Sequence, residues 1–241
     1  MIIILAIDAL EYELVEKFNC QNLKQKFYGK TDISEFTQPR TIVLWSSFMT
    51  GKNKEKEILL KGKKEMWNTK FDIKDTFFSE FKNPAIFDLP GFNYNKEVHD
   101  KSRTLLKKFF EVKTEKEKEK IRKEYNKDAF DHHKKIKERF LKAIDKNHDL
   151  ILGYFSVVDV IGHLNFGNNM LMRMLYKEMD DIAKKCAEKN CPLLILSDHG
   201  MKAIGKFGDH SDYGFWSLNL NKNLKTPKIT DFYRIIKSLR S

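Results

Sequence analysis

The sequence predicts an α/β fold with a mostly parallel central sheet flanked by helices and a helical insertion between two strands. Three observations predict it. Four short apolar runs are continuous rather than alternating, the pattern of strands buried on both faces of a parallel sheet. Each run leads into an aspartate, and the segments between runs carry helical periodicity. The stretch 93–148 breaks this rhythm with dense charge.

The first strand is Ile2–Ile7, ending at Asp8, and helical patterning follows over Leu10–Phe27, Thr41–Met49 and Lys70–Phe81. The second strand, Pro84–Phe87, stops at Asp88. The insertion holds Lys113-Thr-Glu-Lys-Glu-Lys-Glu-Lys120 and apolar residues at Ile121, Tyr125, Phe130, Ile136, Phe140 and Ile144. That pattern is one long helix or a helical hairpin with a solvated face, or else a small cap over an active site. The third strand, Leu150–Val158, runs into Asp159; a helix spans Asn168–Glu188; and the fourth strand, Pro192–Ser197, reaches Asp198. Thr230–Arg240 reads as a closing amphipathic helix. With no internal repeat, residues 1–241 are expected to form a single domain large enough to bury a full core.

Composition narrows the class. Hydrophobic residues at 41% and aromatics at 12% exclude a disordered chain, and only 11 Gly and 5 Pro exclude a collagen-like one. The net charge is +11, carried mostly by Lys. This suits a polyanionic partner, or the Lys/Glu-rich surface of a thermophile proteome; acids nearly as abundant as bases favour the second. Cys20, Cys186 and Cys191 are odd in number and lack metal-finger spacing, which points to a reducing compartment. The apolar N-terminus has no basic leading segment or cleavage site, and no run approaches the roughly 20 apolar residues of a membrane span. The expected location is cytoplasmic, without membrane contact.

In open parallel sheets ligands bind at the carboxyl ends of strands. Asp159-Val-Ile-Gly-His163 places a carboxylate at a strand tip and an imidazole four residues on, with Gly162 letting the loop fold back. Asp198-His199-Gly200 and Gly208-Asp209-His210 add donors, and Asp8 closes the first strand. Any one of these is ordinarily a cap, a turn residue or a satisfied polar group. Three Asp and three His on one sheet edge form a ligand set. Mixed nitrogen and oxygen donors suit Zn, Mn or Fe, with imidazole content favouring Zn. Six donors exceed one tetrahedral site, so the expectation is two divalent ions roughly 4 Å apart, a clamp for in-line displacement at phosphorus. In Arg40-Thr41-Ile-Val-Leu-Trp45-Ser-Ser-Phe-Met-Thr50-Gly51, Pro39 precedes the helix and Gly51 ends it. Thr41 then stands at a helix N-terminus, either as a simple N-cap or as a hydroxyl beside free N–H groups that can hold phosphate oxygens.

The remaining candidates rank lower. Ser46, Ser47 and Thr50 read as locally bonded, His132-His133 as a solvated pair, and Asp180-Asp181 as a polar helix face. Met170 and Met174 read as core. Asp88-Leu-Pro90-Gly91-Phe92-Asn93 is either pocket lining or an ordinary turn.

Asp8 in Ile-Asp-Ala-Leu, Thr41-x-x-x-Trp-Ser-Ser-Phe-x-Thr-Gly51, Asp159-x-x-Gly-His163, Ser197-Asp-His-Gly-Met201 and Gly-x-His210 resemble the alkaline phosphatase superfamily. Within it they are most similar to the type I phosphodiesterase/nucleotide pyrophosphatase branch. The motifs are moderate singly and strong in this order, spanning residues 8–210. The resemblance implies an alkaline-phosphatase-like fold and a two-metal hydrolase of small phosphate esters or nucleotides with a covalent phospho-enzyme. By position Thr41 matches the nucleophile; Asp8, Asp198 and His199 with the Thr41 oxygen match one metal site, and Asp159, His163 and His210 the other. Leu44 stands where the branch carries an Asn that binds a phosphoryl oxygen, so that contact is absent or supplied otherwise, for example by Arg40. The alternatives are a phosphomonoesterase or phosphomutase of the same superfamily. Further off lies a non-catalytic basic nucleic-acid-binding protein; nucleic acid otherwise enters only as substrate or weak electrostatic partner. Sulfatase activity is disfavoured, because no Cys or Ser stands in a sulfatase-type modification motif near Thr41.

Overall fold

In β1 (Ile2–Ile7) every residue is buried, yet successive side chains point to opposite faces and enter two different cores. Ile3, Leu5 and Ile7 pack into one cluster, and Ile2, Ile4 and Ala6 into the other. A strand with a core on each face lies in the middle layer of three, which is why its apolar run is continuous. The structure, a computed structural model, describes residues 1–240.

After β1 the chain runs through α1 (Tyr12–Lys17), β2 (Phe27–Asp32), α2 (Thr41–Thr50), α3 (Glu55–Leu59), α4 (Gly62–Glu65) and β3 (Pro84–Phe87). The helical hairpin α5 (Lys96–Glu111) and α6 (Glu115–Ile144) precedes β4 (Leu150–Phe155), α7 (Val157–Asn165), α8 (Asn169–Ala187) and β5 (Leu193–Leu196). The chain closes with β6 (Met201–Ile204), β7 (Phe207–His210), β8 (Tyr213–Leu218) and α9 (Phe232–Lys237). The main sheet has the order β2-β8-β5-β1-β4-β3. Strands β5, β1, β4 and β3 are parallel, β8 and β2 extend the edge antiparallel, and β6–β7 form a separate antiparallel pair. Helices α1 and α5–α8 cover one face and α2, α3 and α9 the other.

Most expected elements stand, and the exceptions have physical causes. The expected helix Leu10–Phe27 stops at Lys17: Asn19 turns left-handed (φ 52°), and Asp180 accepts the amides of Asn22 and Leu23 at 2.8 and 2.9 Å, holding the chain out of helix. Phe27 then starts a strand. Over Lys70–Phe81 there is no α-helix but two 3₁₀ turns, Ile73–Asp75 and Phe77–Glu80. Thr76 between them is extended (φ −120°, ψ 163°), and its hydroxyl accepts from the Phe78 amide at 3.3 Å, which interrupts a continuous helix. The third strand ends at Phe155, the partner of Ile7, and Val157 already begins α7; Asp159 therefore lies in the first turn of a helix, not at a strand tip. The edge strands β2 and β8 and the β6–β7 pair were not anticipated.

Side-chain placement corrects three further readings. Met170 and Met174, expected in the core, are 84% and 54% exposed on the outer face of α8. Asp180 is buried rather than on a polar face, and only its neighbour Asp181 is exposed. His132 and His133, expected in solvent, are both buried, because α6 lays this part of its length against β4 and α7. Ser47 and Thr50 do bond locally, donating to the carbonyls of Val43 and Ser46 at 2.7 Å. Leu89–Phe92 is a turn packed on α2, where the left-handed Gly91 lies against Ser46 and Met49. The three cysteines are free. Among the described residues no helix is long and apolar enough to cross a membrane.

Candidate metal-binding active site

The carboxyl ends of β5, β1 and β4 place three aspartates side by side. Asp8 follows β1 directly, Asp198 follows β5 by two residues, and Asp159 sits in the first turn of α7, where the helix dipole favours a carboxylate. His163 is one helical turn further along α7, so the two side chains share a face, with Nε2 3.2 Å from Asp159 Oδ1. His210 ends β7, and its Nε2 lies 3.4 Å from the same oxygen. That approach needs α7 and β7 in near contact. A Cβ on Gly162 would stand 2.3 Å from the Met201 sulfur, and one on Gly208 2.8 Å from the Gly162 carbonyl oxygen. Gly162 is thus required for packing; it bends no loop.

His199 is fully buried between the two halves of the cluster. Its Nε2 lies 3.4 Å from Asp8 Oδ1, from Asp198 Oδ2 and from the Thr41 hydroxyl, and its ring stacks on His210 with centroids 3.8 Å apart. The other ring nitrogens of His199 and His163 face backbone carbonyls, Nδ1 donating to Gly200 O at 3.0 Å and to Gly208 O at 3.2 Å. With the proton on Nδ1, the neutral His199 presents the lone pair of Nε2 to the cluster, and the Gly208 carbonyl orients the His163 ring in the same way. Two overlapping donor groups result, Asp8–Asp198–His199 and Asp159–His199–His210. His199 touches both, where the sequence reading gave it to the first alone.

Electrostatics shows what the cluster lacks. Every ion pair made by the three carboxylates is to a histidine. Burial, with Asp198 and Asp159 nearby, raises Asp8 well above the usual carboxylate range, and burial pushes Asp198 up to about 8. Burial and the charge of His210 drive His199 down to about 3. Burial would also raise Asp159, but His163 and His210 hold it well below its ordinary value. His163 rises to about 9 because Asp159 outweighs its own desolvation. Asp8 Oδ1, Asp159 Oδ1, both Asp198 oxygens and His210 Nε2 are buried with no hydrogen-bond partner. Such atoms are costly unless something positive meets them. Their donor chemistry fits divalent cations, with 3.2–3.4 Å separations close to those around a tetrahedral ion.

Thr41 is the first residue of α2, and the N-cap is Arg40, which makes no side-chain cap. The hydroxyl of Thr41 is therefore no cap; it faces His199, while the first-turn amides lack intrahelical acceptors. Gly51 ends the helix left-handed as expected. Leu44 is sealed in the core and contributes nothing to the site. A cavity of about 130 Å³ opens over Thr41, Asp8, Asp159, His163 and His210. Its other walls were not foreseen: Trp67, Tyr94 and Tyr154, with His99, Ser102, Arg103 and Leu106 from α5 and Tyr125 from α6. The insertion thus builds one wall of the cavity. Arg103 lies 3.9 Å over the Trp67 ring and donates to the Tyr94 hydroxyl at 3.3 Å. Tyr154 was findable as a lone hydroxyl within an apolar strand; it donates to Asp8. Arg103 carried no mark separating it from other surface cations. Arg40 lies beside a different cavity that it shares with His210.

A sequence profile of the type I phosphodiesterase/nucleotide pyrophosphatase family matches residues 2–216. The chain belongs to that family. The match covers every residue of the cluster, from Asp8 to His210. Alkaline phosphatase from the Antarctic bacterium TAB5 is similar in fold, with 12% identity and TM-score 0.54 over 99% of this chain and 97% of that one. Ps i-CgsB, in complex with k-i-k-neocarrahexaose, gives 13% identity and TM-score 0.52 over 99% of this chain and 71% of that one. Murine ectonucleotide pyrophosphatase/phosphodiesterase 5, in an inactive form in complex with AMP, gives 12% identity and TM-score 0.46 over 85% of this chain and 58% of that one. This family member thus spans little more than half of that relative's length. No curated protein matches it by sequence.

Proposed function

We propose that the protein is a metal-dependent hydrolase of phosphate esters, of phosphodiesterase or nucleotide pyrophosphatase type, working through a phosphorylated Thr41. The observation that carries the reading is the set of orphaned, buried donor atoms on Asp8, Asp159, Asp198 and His210 beside the Thr41 hydroxyl. Asp8, Asp198 and His199 with the Thr41 oxygen would hold one divalent ion, and Asp159, His163 and His210 the other; Zn is favoured by the three imidazoles, with Mn or Fe as alternatives. Bound there, such ions supply Lewis acidity, lowering the pKa of a hydroxyl and stabilising charge on phosphoryl oxygens.

The chain's own residues do the rest. Thr41 gives its hydroxyl proton to solvent as Oγ1 attacks phosphorus in line, forming the Oγ1–P bond as the bond to the ester oxygen breaks; that oxygen leaves and takes a proton from solvent. A water then attacks phosphorus from the vacated side, restoring the Thr41 hydroxyl and releasing phosphate or its monoester. First-turn amides of α2 hold phosphoryl oxygens, taking the place of the amide side chain that Leu44 cannot supply. Arg103, the one Lys or Arg lining the cavity, offers charge to the oxygens facing the insertion. The catalytic unit in this reading is the whole of residues 1–241, acting in the cytoplasm on a small phosphate ester or nucleotide.

The alternative is a phosphomonoesterase of the same superfamily, whose more highly charged substrate also suits the Arg103 side chain lining the cavity. Rates on a diester and the matching monoester decide between them. A monoester preference of about tenfold or more in kcat/KM, roughly 1.4 kcal/mol, replaces the diesterase assignment. Thr41→Ala tests the shared mechanism: turnover is expected to fall on the order of 10⁴-fold or more while elemental analysis still finds two metals per chain. Full activity in Thr41→Ala rules out the covalent route.

A further inference from the structure

We propose that Glu11 is a positioning residue for the metal cluster. One carboxylate clamps the three turns that carry Asp8, Asp198, His199 and His210, and affinity for divalent ions depends on it. The inference rests on reading that cluster as a metal site.

Glu11 stands three residues after Asp8, at the N-cap of α1, and is 4% exposed. Its Oε1 accepts from the Glu13 amide at 3.1 Å and from the Tyr213 hydroxyl. Its Oε2 accepts from the Met201 amide at 2.9 Å and the Ser211 hydroxyl at 3.2 Å. Met201 is two residues past His199, and Ser211 adjoins His210, so both Oε2 bonds land beside a ligand-bearing residue. The turns are also tied to each other: the Gly200 amide donates to Tyr213 O at 2.7 Å and the Ser211 amide to Gly200 O at 3.1 Å. Gly200 must lack a side chain, since a Cβ there would stand 2.3 Å from Oε2 and 2.6 Å from the Ser211 hydroxyl. Among the described residues Glu11 is in no ion pair and in none of the candidate donor groups. Of its four acceptor bonds, two come from backbone amides, at Glu13 in the first turn of α1 and Met201 at the start of β6, and two from the hydroxyls of Ser211 and Tyr213 beside the end of β7.

A buried carboxylate without a cation is stable only while its hydrogen bonds are kept. Glu11→Gln replaces one oxygen with an NH₂ group. Hydroxyls can rotate to accept from it, but the Met201 or Glu13 amide cannot, so one loop must move. Ligands displaced by a fraction of an ångström lose metal affinity long before the fold is lost.

The test compares Glu11→Gln with Asp180→Asn in the full chain. Asp180 is similarly buried and accepts three bonds from Asn22 and Leu23, on a loop with no ligand. Zn²⁺ and Mn²⁺ dissociation constants come from competition with a chromogenic chelator, and metal-free melting temperatures are read in parallel. Glu11→Gln is expected to weaken binding about tenfold or more, while Asp180→Asn stays within about twofold of wild type even where it melts lower. Ser211→Ala, which removes one donor, is expected to fall between them, and it carries the test if Glu11→Gln fails to fold. Wild-type affinity in Glu11→Gln, or an equal loss in Asp180→Asn, overturns the positioning role and leaves the proposed function standing. Failure of the wild-type chain itself to take up either ion overturns both.

Discussion

Two histidine–aspartate clusters sit at neighbouring strand ends of this sheet, built from the same residue types and opposite in their hydrogen bonding. At the end of β3, Asp88 Oδ2 accepts from His99 at 2.9 Å and His132 at 2.6 Å, and Oδ1 accepts from the Asn95 amide. Those donors could also surround an ion. Yet the distances are hydrogen-bond lengths, and neither Asp88 oxygen is orphaned. Around Asp8, Asp159 and Asp198 the corresponding separations are 3.2–3.4 Å, and Asp8 Oδ1, Asp159 Oδ1 and both Asp198 oxygens accept no hydrogen bond, while Asp8 Oδ2 accepts from Tyr154. The first cluster staples the α5–α6 insertion to the sheet with protons already in place; the second leaves four buried carboxylate oxygens and His210 Nε2 without a hydrogen-bond partner. Residue type alone does not identify a metal site; unmet demand for positive charge does.

The contrast is broken most sharply by paired substitutions. Asp198→Asn is expected to lower metal occupancy and cut turnover on the order of a thousandfold, measured by elemental analysis and steady-state rates. Asp88→Asn is expected to leave metal content at the wild-type level. It should cost about 3 kcal/mol in denaturant unfolding, because two buried imidazoles lose their shared anion. Asp88 is left-handed (φ 59°), a conformation Asn tolerates, so backbone strain adds nothing. A wild-type metal count in Asp198→Asn, or a lost metal in Asp88→Asn, would reverse the roles given to the two clusters.

Acid titration separates them next. Against the upward push of burial, hydrogen bonds from His132 and His99 hold Asp88 down at about 2. A depressed carboxyl stabilises the fold above its unfolded pKa near 3.8 and loses that contribution as pH falls through about 2, here about 2 kcal/mol. Burial lowers His99, so protonation of the unfolded chain below about 6.5 acts in the same direction. Stability of Asp88→Asn should therefore be flatter than wild type between about pH 4 and 2, read from unfolding midpoints. The smallest effect belongs to His133, next in sequence to His132 but turned toward Glu178 at 3.2 Å, a partner that also holds Lys137. His133→Gln should cost about 1 kcal/mol; because burial lowers His133 as it lowers His99, it should remove part of the stability lost below about pH 6.5 and leave the Asp88 step near pH 2 in place.

The four parallel strands, α2 with its glycine stop, α8, and the aspartates after three of the strands, Asp8, Asp88 and Asp198, were legible because continuous apolar runs and caps are local; Asp159 lies instead within α7. All seven expected site residues converge at one sheet edge. Each is within 3.4 Å of another member. The readings of His132, Asp180 and Met170 failed for one reason: a helix's pattern says that one face is buried, not which neighbour covers it. α6 is charged throughout its sequence, and only its packing under β3 and α7 reveals that two histidines face inward.

By itself the sequence determined the four parallel strands and the aspartates that follow three of them, Asp8, Asp88 and Asp198, since strand and helix periods follow from backbone geometry and from the solvation of individual residues. Tertiary structure alone decided which of those ends lack partners, how the insertion walls the cavity, and that Glu11 holds three loops at once. Those features depend on distances between segments remote in the chain, which no local preference encodes.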